Sequence, residues 1–164
     1  MADIRLRRAT ADDIGFIMDV ERQPGYEQFI GRFSQEQHVA HFADPTCAYL
    51  IGVDGKGNDF GFVFLRDFDD PSGNLFIKRL AVRDTGKGSG SRMVQLCIDW
   101  VFEQTPTHRL WLNVIANNDR ARHVYGKLGY VEEGIKREAI LAPDGNRLDS
   151  VMMSILRPEW EARR

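Results

Sequence analysis

The sequence predicts a mixed α/β fold in which one central, mixed but largely antiparallel seven-stranded sheet carries helices on both faces. Three observations lead there. Short apolar segments joined by clusters of Asp, Gly, Asn and Pro read as antiparallel hairpins, one in the first half of the chain and one at its end. A long amphipathic helix between two strand-like segments reads as a crossover between parallel strands. The order strand, two helices, three strands, helix, strand, helix, two strands then leaves a sheet to be covered on both sides. A length of 164 residues suits one domain, 1–164, built on one core.

From Asp3 to Arg8, Ile4 and Leu6 alternate with charged neighbours, the pattern of a half-buried strand. Thr10 with Asp12 and Asp13 supplies an N-cap and first-turn acids for a helix that buries Ile14, Ile17 and Met18 and ends before Pro24. Ser34, capping the turn that contains Gln37, starts a second helix towards Phe42, which Pro45 stops. Cys47 to Val53 and Phe60 to Leu65 form a hairpin around Asp54-Gly55-Lys56-Gly57-Asn58, and Leu75 to Val82 is the next strand. The run Gly86-Lys87-Gly88-Ser89-Gly90-Ser91 opens a helix with Met93, Leu96, Cys97, Trp100 and Val101 on one face. Arg109 to Ile115 follows as a strand with Leu110, Leu112 and Val114 on one side. Asn117, Asn118 and Asp119 cap a helix that Gly129 ends. A short strand begins at Tyr130, and segments around Arg137 to Leu141 and Leu148 to Leu156 close a hairpin at Pro143-Asp144-Gly145.

Composition narrows the function. Hydrophobic residues at 43% and charged residues at 28% describe an ordinary globular chain. A formal charge of -2 gives no general attraction to nucleic acid or to an anionic membrane, so neither partner is expected. Arg5, Arg7 and Arg8 read as the exposed edge of the first strand. The N-terminus lacks the apolar core of a signal peptide and no run reaches a membrane span, so a soluble cytoplasmic protein is expected. Cys47 and Cys97 read as buried reduced thiols. His38 and His41 share a helix face without a third ligand, so they read as a solvent-facing pair, and no metal is expected.

The glycine run is the main chemical signal. A strand entering closely spaced glycines and then a helix gathers free backbone N–H groups and the positive helix end at one point, which suits a phosphate group; the same pattern also serves tight strand-to-helix packing. It is not a Walker A loop, because Gly88 follows Lys87 where a Ser or Thr would hold Mg²⁺. A dinucleotide fold is disfavoured too, because the next strand, Leu110 to Ile115, carries no acid for a ribose.

With Leu80-Ala81-Val82 before this loop, and Asn118, Ala121, Tyr125, Lys127, Gly129 and Tyr130 after it, the chain resembles the GNAT superfamily of N-acetyltransferases. Its ending, through Asp149, Met153 and Arg157-Pro158-Glu159-Trp160, more loosely resembles the branch of ribosomal-protein N-terminal acetyltransferases. The resemblance implies direct transfer of acetyl from acetyl-CoA to a primary amine. The acceptor would be a protein or peptide α-amine, or alternatively a polyamine, amino acid or aminoglycoside, and a non-catalytic CoA-binding module is the rival reading. It also implies that the backbone of Leu80, Ala81 and Val82 pairs with the pantetheine arm and that Gly86, Lys87, Gly88, Ser89, Gly90 and Ser91 hold the pyrophosphate. Asn118 and Arg122 would flank the cosubstrate, and Tyr125 would protonate the departing thiolate. A monomer or homodimer is expected.

Two departures stand out. Thr85 replaces the Gln or Arg that many relatives place before the glycines, in a turn about two residues short, and Phe76 stands where many carry a glutamate base. Glu27, Asp67, Asp69 and Asp149 are the other carboxylates that come into question, each read first as a solvated surface group. Tyr26, Phe29 and Phe33 either wall the acceptor pocket or pack on the core.

Overall fold

The computed structural model describes residues 3–27 and 31–164. Seven strands form one sheet: β1 (Arg5–Arg8), β2 (Cys47–Val53), β3 (Asp59–Arg66), β4 (Asn74–Val82), β5 (Arg109–Ile115), β6 (Val131–Leu141) and β7 (Arg147–Leu156). Their order is β1-β2-β3-β4-β5-β7-β6, antiparallel throughout except between β4 and β5. The expected mixed, largely antiparallel sheet is therefore the one observed. The last hairpin differs in its bounds: Tyr130 precedes β6, which spans 11 residues, and its pairing with β7 shifts between Lys136 and Ile140, around Glu138 at φ 50°, near the junction of the two shorter pieces expected.

The helices are α1 (Ile14–Glu21), α2 (Gln35–Ala43), α3 (Ser89–Gln104), α4 (Asp119–Lys127) and α5 (Arg157–Glu161). Three begin where the sequence offers a cap, whereas α3 starts after Gly88 and α5 after Leu156 without a side-chain N-cap bond. Asp13 ends a short 3₁₀ turn before α1 and accepts the Thr10 N–H at 2.8 Å, Ser34 accepts the Gln37 N–H at 3.2 Å, and Asn118 accepts the Ala121 N–H at 3.2 Å. The sheet splits the core in two. On one face Leu75, Ile77, Leu110, Leu112, Val114 and Met153 pack under α3; on the other Tyr49, Ile51, Phe62 and Phe64 pack under α1.

The α3 face is rotated from the expected one. Val94, Ile98 and Phe102 are buried beside Met93, Cys97 and Val101, while Leu96 and Trp100 stay half-exposed. Trp100 instead lies under the Arg8 guanidinium, 5.3 Å from its ring centre. Arg7 is likewise not a free edge cation, since it bonds Asp13 and Asp59 at 2.8 to 2.9 Å and its pKa is raised by those partners. Cys97 is buried and its thiol is pushed up to about 12 by desolvation, whereas Cys47 is only half-buried; both are free.

The C-terminal α5 closes the fold through Arg157. Its guanidinium donates to the carbonyls of Phe102 at 2.8 Å, Thr105 at 2.7 Å and Thr107 at 2.9 Å, satisfying acceptors that the end of α3 cannot pair internally. Arg157→Ala is expected to lower unfolding stability by about 3 kcal/mol in urea titration, because three partly buried carbonyls lose a charged donor. A loss below about 0.5 kcal/mol would assign α5 no such part.

Candidate active site

The site begins with a parting of strands. β4 and β5 pair only at Asn74–Arg109, Leu75–Leu110 and Phe76–Trp111. Beyond Phe76, β4 stays on β3 as far as Val82–Gly61 and β5 stays on β7 as far as Ile115–Ser150, so the two diverge. An irregularity helps open the gap: the β3–β4 register shifts between Ile77 and Arg79, leaving Lys78 as an extra residue that bends β4. Along β4 the hydrogen-bonding edge alternates. Arg83 N–H goes to Phe60 O on β3 at 2.7 Å, so Leu80 and Val82 turn their backbone groups towards the opening.

At the far end of β4 the chain enters the glycine loop. Gly86 (φ 86°) and Gly88 (φ 79°) both occupy left-handed backbone that favours glycine, and Gly88 is the N-cap of α3. Arg83 to Gly88 are exposed, with Lys87 near Asp84 at 3.6 Å. A second cation arrives from α4: a Cβ added to Gly86 would lie 3.7 Å from the Arg120 guanidinium. Arg122, the residue first expected beside phosphates, is otherwise engaged, bonding Glu132 at 2.8 and 3.0 Å and the Ala116 carbonyl at 2.9 Å. Arg120 was missed because it carries no motif letter of its own; its place two residues after Asn118, within the first turn of the helix, is the only signal.

Tyr125 sits in α4 against the α3-side core, edge-on to Tyr130 with ring centres 5.5 Å apart. Burial pushes its phenol up to about 12, with Cys97 and Tyr26 as neighbours, so it is protonated at neutral pH. Phe76 does occupy the mouth of the opening, stacked on Trp111 at 4.1 Å, and supplies no carboxylate there.

A cavity of about 440 Å³ lies at the paired end of β4 and β5, lined by Asp67, Asp69, Asp70, Asn74, Arg109 and Trp111 among others. Asp67 is held at φ 73°, left-handed backbone that Asp tolerates better than most L-residues. Asp70 is bound to the Ser72 and Asn74 N–H groups, which lower its pKa. Arg109 is neutralised by Glu133 at 2.6 Å, which in turn accepts from Ser154. Of the other two carboxylates in question, Glu27 caps Gly25 at 2.9 Å and Asp149 accepts the Glu138 N–H at 2.8 Å, so both serve the backbone.

The histidines overturn their expectation. His38 is fully buried, bonding Glu21 at 2.8 Å through one ring nitrogen and the Tyr49 hydroxyl at 2.8 Å through the other. Glu21, also fully buried, holds Arg22 at 2.7 Å and Arg79 at 3.2 Å. A helix whose outer residues are polar hid one residue that another helix needs as a hydrogen-bond partner. His41 bonds the same Tyr49 hydroxyl at 3.0 Å, and its pKa is lowered, by desolvation first. Arg79 lies 3.4 Å over the Phe33 ring, so Phe33 packs on this network; Phe29 lies outside the described residues. Among the described residues no cluster could hold a metal ion, and no helix is long and apolar enough to cross a membrane.

The family model for acetyltransferases of the GNAT family matches residues 16–130. The chain belongs to the GNAT acetyltransferase family. Among relatives, the spermidine N(1)-acetyltransferase of Vibrio cholerae is 30% identical over 133 residues, 77% of this chain and 73% of that protein. YdaF of Bacillus subtilis, provisionally named a ribosomal N-acetyltransferase, is 29% identical over 79 residues, 48% of this chain and 43% of that protein. Among solved structures, the Vibrio cholerae spermidine N-acetyltransferase in complex with CoA and spermine superposes with a TM-score of 0.86 at 22% identity, covering 96% of this chain and 98% of that one. This GNAT protein is accordingly an acetyl-CoA-dependent N-acetyltransferase.

In this GNAT chain the final motif residue, Tyr130, carries a hydroxyl that is buried with no hydrogen-bond partner among the described residues. An unpaired buried hydroxyl costs about 1–3 kcal/mol. Tyr130→Phe is therefore expected to raise the thermal midpoint or leave it unchanged; a drop of several degrees would mean that the hydroxyl has a partner.

Proposed function

We propose that the protein acetylates a terminal primary amine of a polyamine, using acetyl-CoA bound along the Leu80–Val82 edge. The observation that carries this reading is the cavity beside Phe76, where Asp67, Asp69 and Asp70 face an aromatic wall, Trp111. Carboxylates attract a polycation, whereas a peptide α-amine brings a single charge and a chain of amides. A polyamine repeats its charge along an apolar chain, so one ammonium can rest among the aspartates while another amine reaches the opening. The likeness to spermidine acetyltransferases supports the same choice.

The opening suits the cosubstrate. The backbone edge of Leu80 and Val82 offers a strand's hydrogen bonds to an extended amide chain, and the N–H groups around Gly86, Gly88 and Gly90 with Lys87, Ser89, Ser91 and Arg120 offer a seat for pyrophosphate. Asn118 starts the helix that carries Tyr125 to the opposite wall. The amine attacks the thioester carbonyl directly, the carbon–sulfur bond breaks, the Tyr125 phenol gives its proton to the departing thiolate, and the proton shed by the new amide nitrogen restores the phenol through water. Phe76 cannot take the amine's proton, so the attacking amine reaches the site already neutral, its proton leaving to water.

Four outcomes are expected. In a thiol-release assay, spermidine-type polyamines are expected to exceed α-amine and lysine peptides by at least about tenfold in kcat/KM; peptides turned over as well as polyamines would sink the reading. Asp67→Asn with Asp69→Asn is expected to raise polyamine KM by about tenfold with little change in kcat, the pattern of lost ground-state attraction. Tyr125→Phe is expected to lower kcat about 100-fold while acetyl-CoA affinity changes less than about threefold. Without a carboxylate base, kcat/KM should keep climbing from pH 7 to 9, because an alkyl ammonium of pKa about 10 yields more free amine at each step; a plateau near pH 7 would reveal a base.

A further inference from the structure

The backbone edge that suits the cosubstrate is already in use by the protein's own side chains. Tyr26, in the connection between α1 and α2, donates its hydroxyl to the Val82 carbonyl at 2.6 Å and accepts the Val82 N–H at 3.1 Å. Gln23, from the same connection, donates its amide to that carbonyl at 2.7 Å. A carbonyl has two lone pairs and a backbone amide one hydrogen, so Val82 has no capacity left. The phenol supplies both a donor and an acceptor to one residue, which is what a neighbouring strand supplies. It stands on the open edge of β4, and the adjoining cavity of about 280 Å³ is lined by Gln23, Pro24, Gly25, Tyr26, Arg83 and Thr85.

We propose that Tyr26 and Gln23 form a built-in latch that competes with the pantetheine arm of acetyl-CoA for Val82. The latch rests on the reading of the Leu80–Val82 edge as the pantetheine slot. An unfilled sheet interior would leave Val82 with buried, unpaired polar groups, and the latch satisfies them while the cosubstrate is away. Acetyl-CoA then binds only to the unlatched fraction, so its apparent affinity is reduced by that fraction. Release of Tyr26 also clears the space next to Tyr125, where the sulfur must come to be protonated. Cosubstrate arrival and assembly of the acid's surroundings thereby become one event.

The sign of a single measurement tests this. A side chain that helps to hold the cosubstrate weakens binding when trimmed; a competitor strengthens it. Isothermal titration of acetyl-CoA into Tyr26→Phe, which keeps the ring and removes the hydroxyl, is expected to show a Kd lower than wild type by about three- to tenfold. Gln23→Met, which keeps the length and removes the donor, is expected to move in the same direction and carries the test if the first variant folds poorly. Unchanged or weaker binding in both overturns the latch. Gly88→Val tests separately whether acetyl-CoA binds at this end of β4 at all: placing a branched residue at φ 79° in the glycine loop is expected to abolish binding. Wild-type affinity in that variant would overturn the reading of the cosubstrate site on which the latch rests, whichever way Tyr26→Phe moves.

Discussion

Two parallel strands that share three residue pairs and then part are the constraint on which the rest of this structure depends. Neither strand is free to close the gap, because β4 is held along its other edge by β3 and β5 by β7. The interior of a sheet is the place where unpaired backbone groups are least tolerable, so whatever lies in the gap has to offer a strand's hydrogen bonds. That requirement, more than any single side chain, selects an extended chain bearing amides as the natural occupant. The glycine loop and α3 then follow from β4 directly, and α4 from β5, so the walls of the gap are built by the segments that leave it.

A second constraint lies under α1 and α2. Glu21 is a fully buried carboxylate at the last residue of α1, and it is tolerated because Arg22, His38 and Arg79 all reach it. Buried ion pairs add little net stability, since desolvation offsets much of the attraction. Their effect is geometric: Arg79 belongs to β4 and His38 to α2, so the carboxylate ties both helices to the strand that borders the gap. The connection that begins immediately after Glu21 carries Gln23 and Tyr26, which explains how two side chains reach Val82 with good geometry from turns beyond the end of α1.

Local order was legible in the residues. β2 and β5 begin and end where their apolar runs do, and the caps at Ser34 and Asn118 stand where their side chains announce them. What was illegible depends on partners distant in the chain. Met93, Cys97 and Val101 are completed into an apolar face equally well by Leu96 and Trp100 or by Val94, Ile98 and Phe102, and only the position of the sheet decides for the second set. Arg120 and Arg122 lie two residues apart on one helix, on different sides of it; Glu132, on a strand ten residues later, takes one of them and leaves the other beside Gly86. His38 looked solvated because its partners, Glu21 and Tyr49, lie 17 residues before it and 11 after it. The left-handed conformation of Asp67 is likewise invisible in a residue type that turns use freely.

Net charge was uninformative for a related reason. A formal charge of -2 describes a nearly neutral molecule, yet the charges along β4 are sorted. Arg83, Lys87 and Arg120 gather where the strand ends, and Asp67, Asp69 and Asp70 where it begins. Nine residues of strand put roughly 26 Å between those ends, several Debye lengths at physiological salt, so the two groups of charge do not cancel each other for an approaching ligand. An anion is drawn to one end of the strand and a cation to the other. One nearly neutral protein therefore presents two separate surfaces of opposite charge along a single strand, with the stacked Phe76 and Trp111 near the acidic one.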